Sequence, residues 1–199
     1  MTDIKIFDRW SVQGIEVLDP GLKNYIGLTP RIVPRTHGKH AKKQFHKSNL
    51  NIVERLMNKI FVPGHKGKRH FFTSGQCVGK TGTVMILVKK AFTTIEEKTK
   101  KNPIEVLVRA IENAALTEEI TSFQVGGIMA RKAVISSPQR RVDLALRLIV
   151  QGAYQKSHGK KGFSQTLAEE ILAAYNHDSQ NSLAVKERER IEREAAGAR

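Results

Sequence analysis

The sequence predicts a mainly α fold, a single domain of about six helices with a protruding β-hairpin between helices three and four, plus an extended basic N-terminal arm. Three observations carry this. Apolar residues recur at helical spacing from Asn49 onward, and the period breaks once, around Gly126-Gly127. Positive charge is also concentrated: Arg31 to Arg69 holds eleven Lys/Arg and a single acid, Glu54.

At 199 residues the chain suffices for one domain with a substantial core plus extensions, or at most two small ones. Residues 1–48, punctuated by Pro20, Pro30 and Pro34, show no sustained helical period and read as an arm ordered mainly by what it lies on. On that reading, deleting 1–48 weakens binding and leaves the helices intact.

The helical domain is expected over 49–176. Val53, Leu56, Met57 and Ile60 fall at i, i+3, i+4 and i+7, and Pro63-Gly64 closes this first helix. After a basic loop to Gly82, the stripe Val84, Val88, Ala91, Phe92 and Ile95 marks a second helix running to about Lys100. Asn102-Pro103-Ile104-Glu105 then combines a capping side chain, a proline suited to the first helical position and a capping-box glutamate. Ile104, Leu107, Val108 and Ile111 supply the buried face of the third helix.

At 120–135 two short runs flank Gly126-Gly127, a pair suited to the positive φ angles of a two-residue hairpin turn. Neither face of this ribbon is cleanly apolar, so it is expected to project onto a partner. Ser137-Pro138 opens a fourth helix, in which Val142, Ala145, Leu146, Ile149, Val150 and Ala153 form a broad apolar sector opposite Arg140, Arg147 and Gln151. A basic loop with Lys160 and Lys161 precedes a fifth helix, capped by Ser164 and turning Leu167, Ala168, Ile171, Leu172 and Tyr175 inward. Residues 177–199 form a C-terminal unit in which, after a polar link, Leu183 to Ala196 alternates Lys/Arg with Glu and reads as a solvated helix leaning on something else, or a frayed tail.

A formal net charge of +15 and a pI near 10.1 point to a polyanion, because neutralised phosphates release condensed counterions whatever the sequence. Aromatics at 6% disfavour a stacking-platform module. No apolar run approaches the roughly 18 residues of a membrane span, and the first residues lack a signal-peptide pattern, so a soluble intracellular protein is expected. The single cysteine, Cys77, reads as packing filler.

Catalytic patterns are weak. Gly75 to Thr81 resembles a phosphate-binding P-loop, but only three residues separate Gly75 from Gly79-Lys80, and Ser74 stands where the first glycine belongs. An RNA-dependent NTPase is therefore the rival reading, and a helix-turn-helix DNA binder a second. In a milder reading, Gly79, Lys80 and Gly82 at a helix entry hold an RNA phosphate. His37, His40, His46, His65 and His70 lie among lysines that repel a cation, so neither a metal nor another cofactor is expected. The adjacent pairs Glu96-Glu97, Glu118-Glu119 and Glu169-Glu170 point apart on a helix and read as surface charges. Arg140-Arg141 opposes the dipole of its helix, which leaves two readings open: RNA phosphates or the hairpin on one side, solvated arginines or a local pair with Asp143 on the other.

Several blocks together resemble one family. They are Ile-Val-Glu-Arg-Leu-Met-Asn-Lys at 52–59, Pro-Ile-Glu-Val-Leu-Val-Arg-Ala-Ile-Glu-Asn-Ala at 103–114, and Val-Gly-Gly at 125–127. Ser-Pro-Gln-Arg-Arg-Val-Asp-Leu-Ala-Leu-Arg at 137–147, Thr-Leu-Ala-Glu-Glu-Ile-Leu-Ala-Ala at 166–174 and Ala-Val-Lys-Glu-Arg-Glu at 184–189 complete the set. In order, and over nearly the whole chain, they resemble the small-subunit ribosomal protein seven family. The long N-terminus with Trp10-Ser11 and 34–40 is similar to the archaeal and eukaryotic-cytosolic type; the Gly126-Gly127 turn and short tail lean archaeal.

The resemblance implies a non-enzymatic structural protein of the cytoplasmic ribosome that binds the 3′ major domain of small-subunit rRNA and nucleates assembly of the head. It implies a hairpin at the subunit interface near the decoding centre, beside the exit-site tRNA and the mRNA exit, and small-subunit proteins nine and eleven as neighbours. The residues expected against rRNA are Arg35, Lys39, His40, Lys42, Lys43, Lys47, Lys66, Lys68, Arg69, Lys80, Arg140, Arg141, Lys160 and Lys161. Those expected near tRNA and mRNA are Val125, Gly126, Gly127, Ile128, Arg131 and Lys132.

Overall fold

Helix α1 (Ile52–Ile60) starts where Asn51 caps it, its side-chain oxygen accepting from the Val53 N–H at 2.9 Å. A two-rung ribbon follows, β1 (His65–Lys66) against β2 (Arg69–His70). Next come α2 (Thr81–Thr99) and α3 (Pro103–Ala114), the latter capped by Asn102, whose side chain accepts from the Ile104 N–H at 3.0 Å. Strands β3 (Glu118–Val125) and β4 (Ile128–Ile135) pair antiparallel, and α4 (Pro138–Lys156), α5 (Phe163–Tyr175) and α6 (Leu183–Ala196) complete the chain. The computed structural model describes residues 4–63, 65–66, 69–70, 80–157 and 161–199.

The core is helical. The α2 stripe Val84, Val88, Ala91, Phe92 and Ile95 is fully buried, as are Ile104, Leu107, Val108 and Ile111 of α3. Val142, Ala145, Leu146, Ile149, Val150 and Ala153 of α4 and Leu167, Ala168 and Ile171 of α5 meet them there. The predicted apolar faces are thus the observed ones. Gln151, assigned to the exposed stripe of α4, is instead buried, and α5 begins at Phe163 after Gly162, with Ser164 already inside its first turn.

The N-terminal segment departs furthest from expectation. Ile6, Trp10, Val12, Leu22 and Ile26 are buried in the same core as the helices. Trp10 sits edge-on to Phe92 of α2 at 5.6 Å, and Asn102 donates from its amide to the Ser11 carbonyl at 2.6 Å. The Glu112 carboxylate accepts from the Leu18 N–H at 2.6 Å and the Asp19 N–H at 3.1 Å. Further on, the Ile52 N–H donates to the Gly27 carbonyl at 2.8 Å. A Cβ on Gly27 would stand 2.2 Å from the Leu50 carbonyl oxygen, so only glycine permits this approach. Residues 1–48 are therefore not simply an arm awaiting its partner. Their buried apolar residues are isolated and irregularly spaced, a pattern that periodicity cannot register.

The carboxylate pairs are likewise not all surface charges. Glu170 is fully buried, accepting from the Lys156 ammonium at 2.6 Å, the Ser182 hydroxyl at 2.9 Å and the Ala184 N–H at 3.3 Å. It fits because residue 152 is glycine; a Cβ there would stand 2.7 Å from the Glu170 carboxyl carbon.

Candidate nucleic-acid interface

Two short 3-10 turns, Lys39–Lys42 and His46–Asn49, shape the basic segment between the packed N-terminus and α1. Arg35, Lys39, Lys42 and Lys43 are exposed there, with His40 and Lys47 half-buried. Among the described residues no carboxylate pairs with Arg35, Lys39, Lys42 or Lys43. Their charge is uncompensated within the described chain. Phe45, at φ 60° and 68% exposed, protrudes from the same segment.

Lys47 differs. Its ammonium donates to Asp143 of α4 at 2.7 Å, and the buried Arg55 of α1 donates to the other oxygen of that carboxylate at 3.2 Å. Arg55 also donates to the Tyr25 carbonyl at 2.6 Å, joining the N-terminal segment, α1 and α4. Lys59 lies close enough to feel the same carboxylate, and Arg147 close enough to act on Lys59. Burial lowers the Lys59 pKa below the ordinary lysine range; Asp143 opposes the shift, while Lys47, Arg147 and Arg55 reinforce it. For Asp143, burial favours the neutral acid, but the Lys47 hydrogen bond and the charges of Lys47, Arg55 and Lys59 outweigh it and hold the pKa below the usual value. Three cations, Lys47, Arg55 and Lys59, thus act on one carboxylate, with Arg147 beside Lys59, a cationic excess on the α1–α4 face. Sequence reasoning missed Lys59, half-buried, and placed Arg147 only on a polar stripe; the approach of the two, one from α1 and one from α4, exists only in three dimensions.

Lys80 is the exposed residue at the N-cap of α2, whose first turn holds no acid to oppose an incoming anion. Lys66 stands opposite Arg69 in the β1–β2 register. Lys68 and Lys160, Cys77 and most of the P-loop-like stretch, 74–79, lie outside the described residues. Lys161 is exposed and pairs with Glu169 at 2.8 Å.

The two arginines at the start of α4 face inward partners. Arg140 grips Glu119 of β3 with two bonds of 2.6 Å. Arg141 donates to Asp19 at 2.8 Å and to the Leu116 carbonyl at 2.9 Å. The local pair with Asp143 does not form; that carboxylate is taken by Lys47 and Arg55. Carboxylates brought in from β3 and the N-terminal segment offset the unfavourable placement of two cations at a helix N-terminus. The Glu119 pKa is held down chiefly by its Arg140 hydrogen bond, and that of Arg140 is raised by the same bond.

The β3–β4 ribbon turns at Gly126 and Gly127, at φ 55° and 89°, the left-handed pair that matches strand twist. Its register runs from Glu118 opposite Ile135 to Val125 opposite Ile128, which puts Arg131 and Lys132, both exposed, on opposite faces. Exposed Phe123, Ile128 and Met129 lie nearby. The base of the ribbon is held from both faces, by Arg140 on Glu119 and by Arg199 on Glu118. Helix α6 is no frayed tail here: Ala184, Val185 and Ala195 are buried, and Glu192 accepts from the Thr117 N–H and hydroxyl at 2.9 Å each.

Among the described residues no group of His, Cys, Asp and Glu is arranged to hold a metal ion, and no helix is long and apolar enough to cross a membrane. The arrangement is a helical bundle that presents cations from a basic segment, a helix face, a helix N-terminus and a braced ribbon.

A family model described as ribosomal protein S7p/S5e matches residues 22–199. The chain is 44% identical over 197 residues to the small ribosomal subunit protein uS7 of Nanoarchaeum equitans (strain Kin4-M), covering 98% of this chain and 99% of that one. It is 43% identical over 199 residues to the protein of the same name from Methanococcus maripaludis (strain C6 / ATCC BAA-1332), covering 99% and 100%. With the family model spanning most of the chain and archaeal relatives matching it end to end, the chain belongs to the ribosomal protein S7p/S5e family.

Proposed function

We propose that this chain is a non-catalytic structural constituent of the small ribosomal subunit in the cytoplasm that binds rRNA directly in the 3′ major domain and nucleates assembly of the head. Its hairpin, from Val125 through Gly126, Gly127 and Ile128 to Arg131 and Lys132, reaches toward the exit-site tRNA and the mRNA exit at the subunit interface. Small-subunit ribosomal proteins nine and eleven are its protein neighbours.

The observation that carries this reading is the set of cations without internal partners, mounted on a rigid bundle in a ribosomal family member. Arg35, Lys39, Lys42 and Lys43 are exposed without a carboxylate, and Lys80 heads α2. These residues, with Lys66, Lys68, Arg69, Lys160 and Lys161, follow the phosphate backbone and supply affinity. The fold of the rRNA junction supplies specificity. Lys59 and Arg147 add the α1–α4 face, and Phe45 offers a ring on which an unstacked base lies. Lys47 and Arg141 act first as internal clamps that set the shape of this surface; Arg140 keeps its outer edge for RNA.

Chemical footprinting of small-subunit rRNA with the protein alone tests the proposal. Protection confined to the 3′ major domain is the expected result. Equal affinity for unrelated structured RNA or for duplex DNA refutes it.

A further inference from the structure

Within the most basic stretch of the chain, its one acid is buried and only half used. Glu54 of α1 is 4% exposed. Its Oε1 accepts from the Thr36 N–H at 2.8 Å and the Thr36 hydroxyl at 2.6 Å. Its Oε2, also buried, has no hydrogen-bond partner among the described residues, and neither has the buried Nδ1 of His40. Both residues line one cavity of about 190 Å³, together with Pro34, Arg35, Asn58 and Phe61. Arg35 borders the cavity, yet among the described residues it forms no ion pair with Glu54.

Leaving one oxygen of a buried carboxylate unpaired is costly, so a donor is expected to complete it. A phosphate is excluded, because the carboxylate repels it. The cavity is well below the roughly 300–1,000 Å³ of a drug-sized site, so it suits one ring system rather than a whole nucleotide. Pro34 and Phe61 supply apolar walls for such a ring. Arg35, exposed at the cavity wall, supplies a cation for a sugar-phosphate chain beside such a ring.

We propose that this cavity receives one unstacked guanine of the bound rRNA, with Glu54 Oε2 accepting from its Watson–Crick edge. Guanine alone presents two adjacent donors, N1–H and the N2 amino group, with no acceptor between them. In uracil, acceptors flank the single donor; in adenine and cytosine, ring acceptors adjoin the amino group. The buried Nδ1 of His40 meets the remaining polar edge of the base. A site of this kind reads sequence, whereas the surrounding lysines read only phosphate. The inference rests on the rRNA-binding function proposed above and assigns it a base-specific contact.

The test uses the full-length protein on small-subunit rRNA probed with kethoxal, which modifies N1 and N2 of unpaired guanine. Glu54→Gln keeps an acceptor for Thr36 and replaces the free oxygen by an amide donor that opposes guanine. Asn58→Trp leaves Glu54 and Thr36 untouched and fills the opening, so it carries the test alone if Glu54→Gln loses helicity by circular dichroism. In each variant a single guanine protected by the unaltered protein becomes reactive, while the other protections persist and affinity falls about 10-fold, as for loss of one specific base pairing. An identical set of protected guanines in both folded variants overturns the inference and leaves the wider function standing; this is also the outcome if the cavity instead takes an amine from a neighbouring protein. Absence of any rRNA protection by the unaltered protein refutes the wider function.

Discussion

Replacing Trp10 by alanine tests whether the N-terminal segment belongs to the folded core. Trp10 is 3% exposed, edge-on to Phe7 at 6.1 Å and to Phe92 of α2 at 5.6 Å, with the Arg9 guanidinium 5.2 Å from its ring centre. Truncating a large buried aromatic costs about 3–5 kcal/mol in lost transfer energy and cavity formation. One term offsets it: the buried indole N–H has no partner among the described residues, and its removal recovers about 1 kcal/mol or more. The net expectation is a loss of about 2–4 kcal/mol, or about 4–16 °C in Tm for a chain of this size. Trp10→Phe keeps a ring and removes the orphaned donor, so its loss stays below about 1.5 kcal/mol.

Urea titration followed by circular dichroism at 222 nm measures all three proteins. Trp10 is the single tryptophan of the chain, so in the unaltered protein its fluorescence reports this segment alone. A fluorescence midpoint coincident with the helical one is expected. If Trp10→Ala unfolds within about 0.5 kcal/mol of the original, as an exposed-surface substitution would, the segment is an appendage and the reasoning fails.

Asp143→Asn leaves Arg55, Lys47 and Lys59 without their shared counter-charge and destabilises the fold by about 3 kcal/mol at neutral pH, read from urea midpoints. Because the folded-state pKa of Asp143 is lowered, its contribution is present above its unfolded value and disappears as pH falls through the folded one; acid titrations below about pH 4 therefore flatten in the variant. Alanine at both Gly126 and Gly127, at φ 55° and 89°, costs about 1–2 kcal/mol per residue locally, so amide exchange quickens near the hairpin tip while the global melt stays unchanged. Raising salt from 50 to 200 mM weakens rRNA binding by about 10³-fold or more, and combined alanine substitution of Lys39, Lys42 and Lys43 reduces the log–log salt slope by about 2–3; a flat response in the unaltered protein contradicts phosphate binding.

Helices α1 to α5 and the hairpin were legible because each announces itself locally. The run Asn102-Pro103 marks a helix start, the α2 stripe repeats with the helical period, and two glycines accept the backbone that a tight turn demands. Ser164 misled because the cap of α5 lies two residues earlier, at Gly162. The α6 segment was ambiguous because only a few of its residues are buried, and its anchor, Glu192 on Thr117, joins positions 75 apart.

Local pattern by itself determined the helical class, the order of the elements, and the presence of excess positive charge. Only tertiary structure decided which of those charges remain available to a partner. Lys47 meets Asp143 across 96 positions and Arg141 meets Asp19 across 122, whereas Lys39, Lys42 and Lys43 meet no acid among the described residues. Helix formation depends on neighbours within a turn or two, which spacing records. Burial and ion pairing depend on which distant segments approach one another, and the irregular packing of Trp10 against Phe92 leaves no period along the chain.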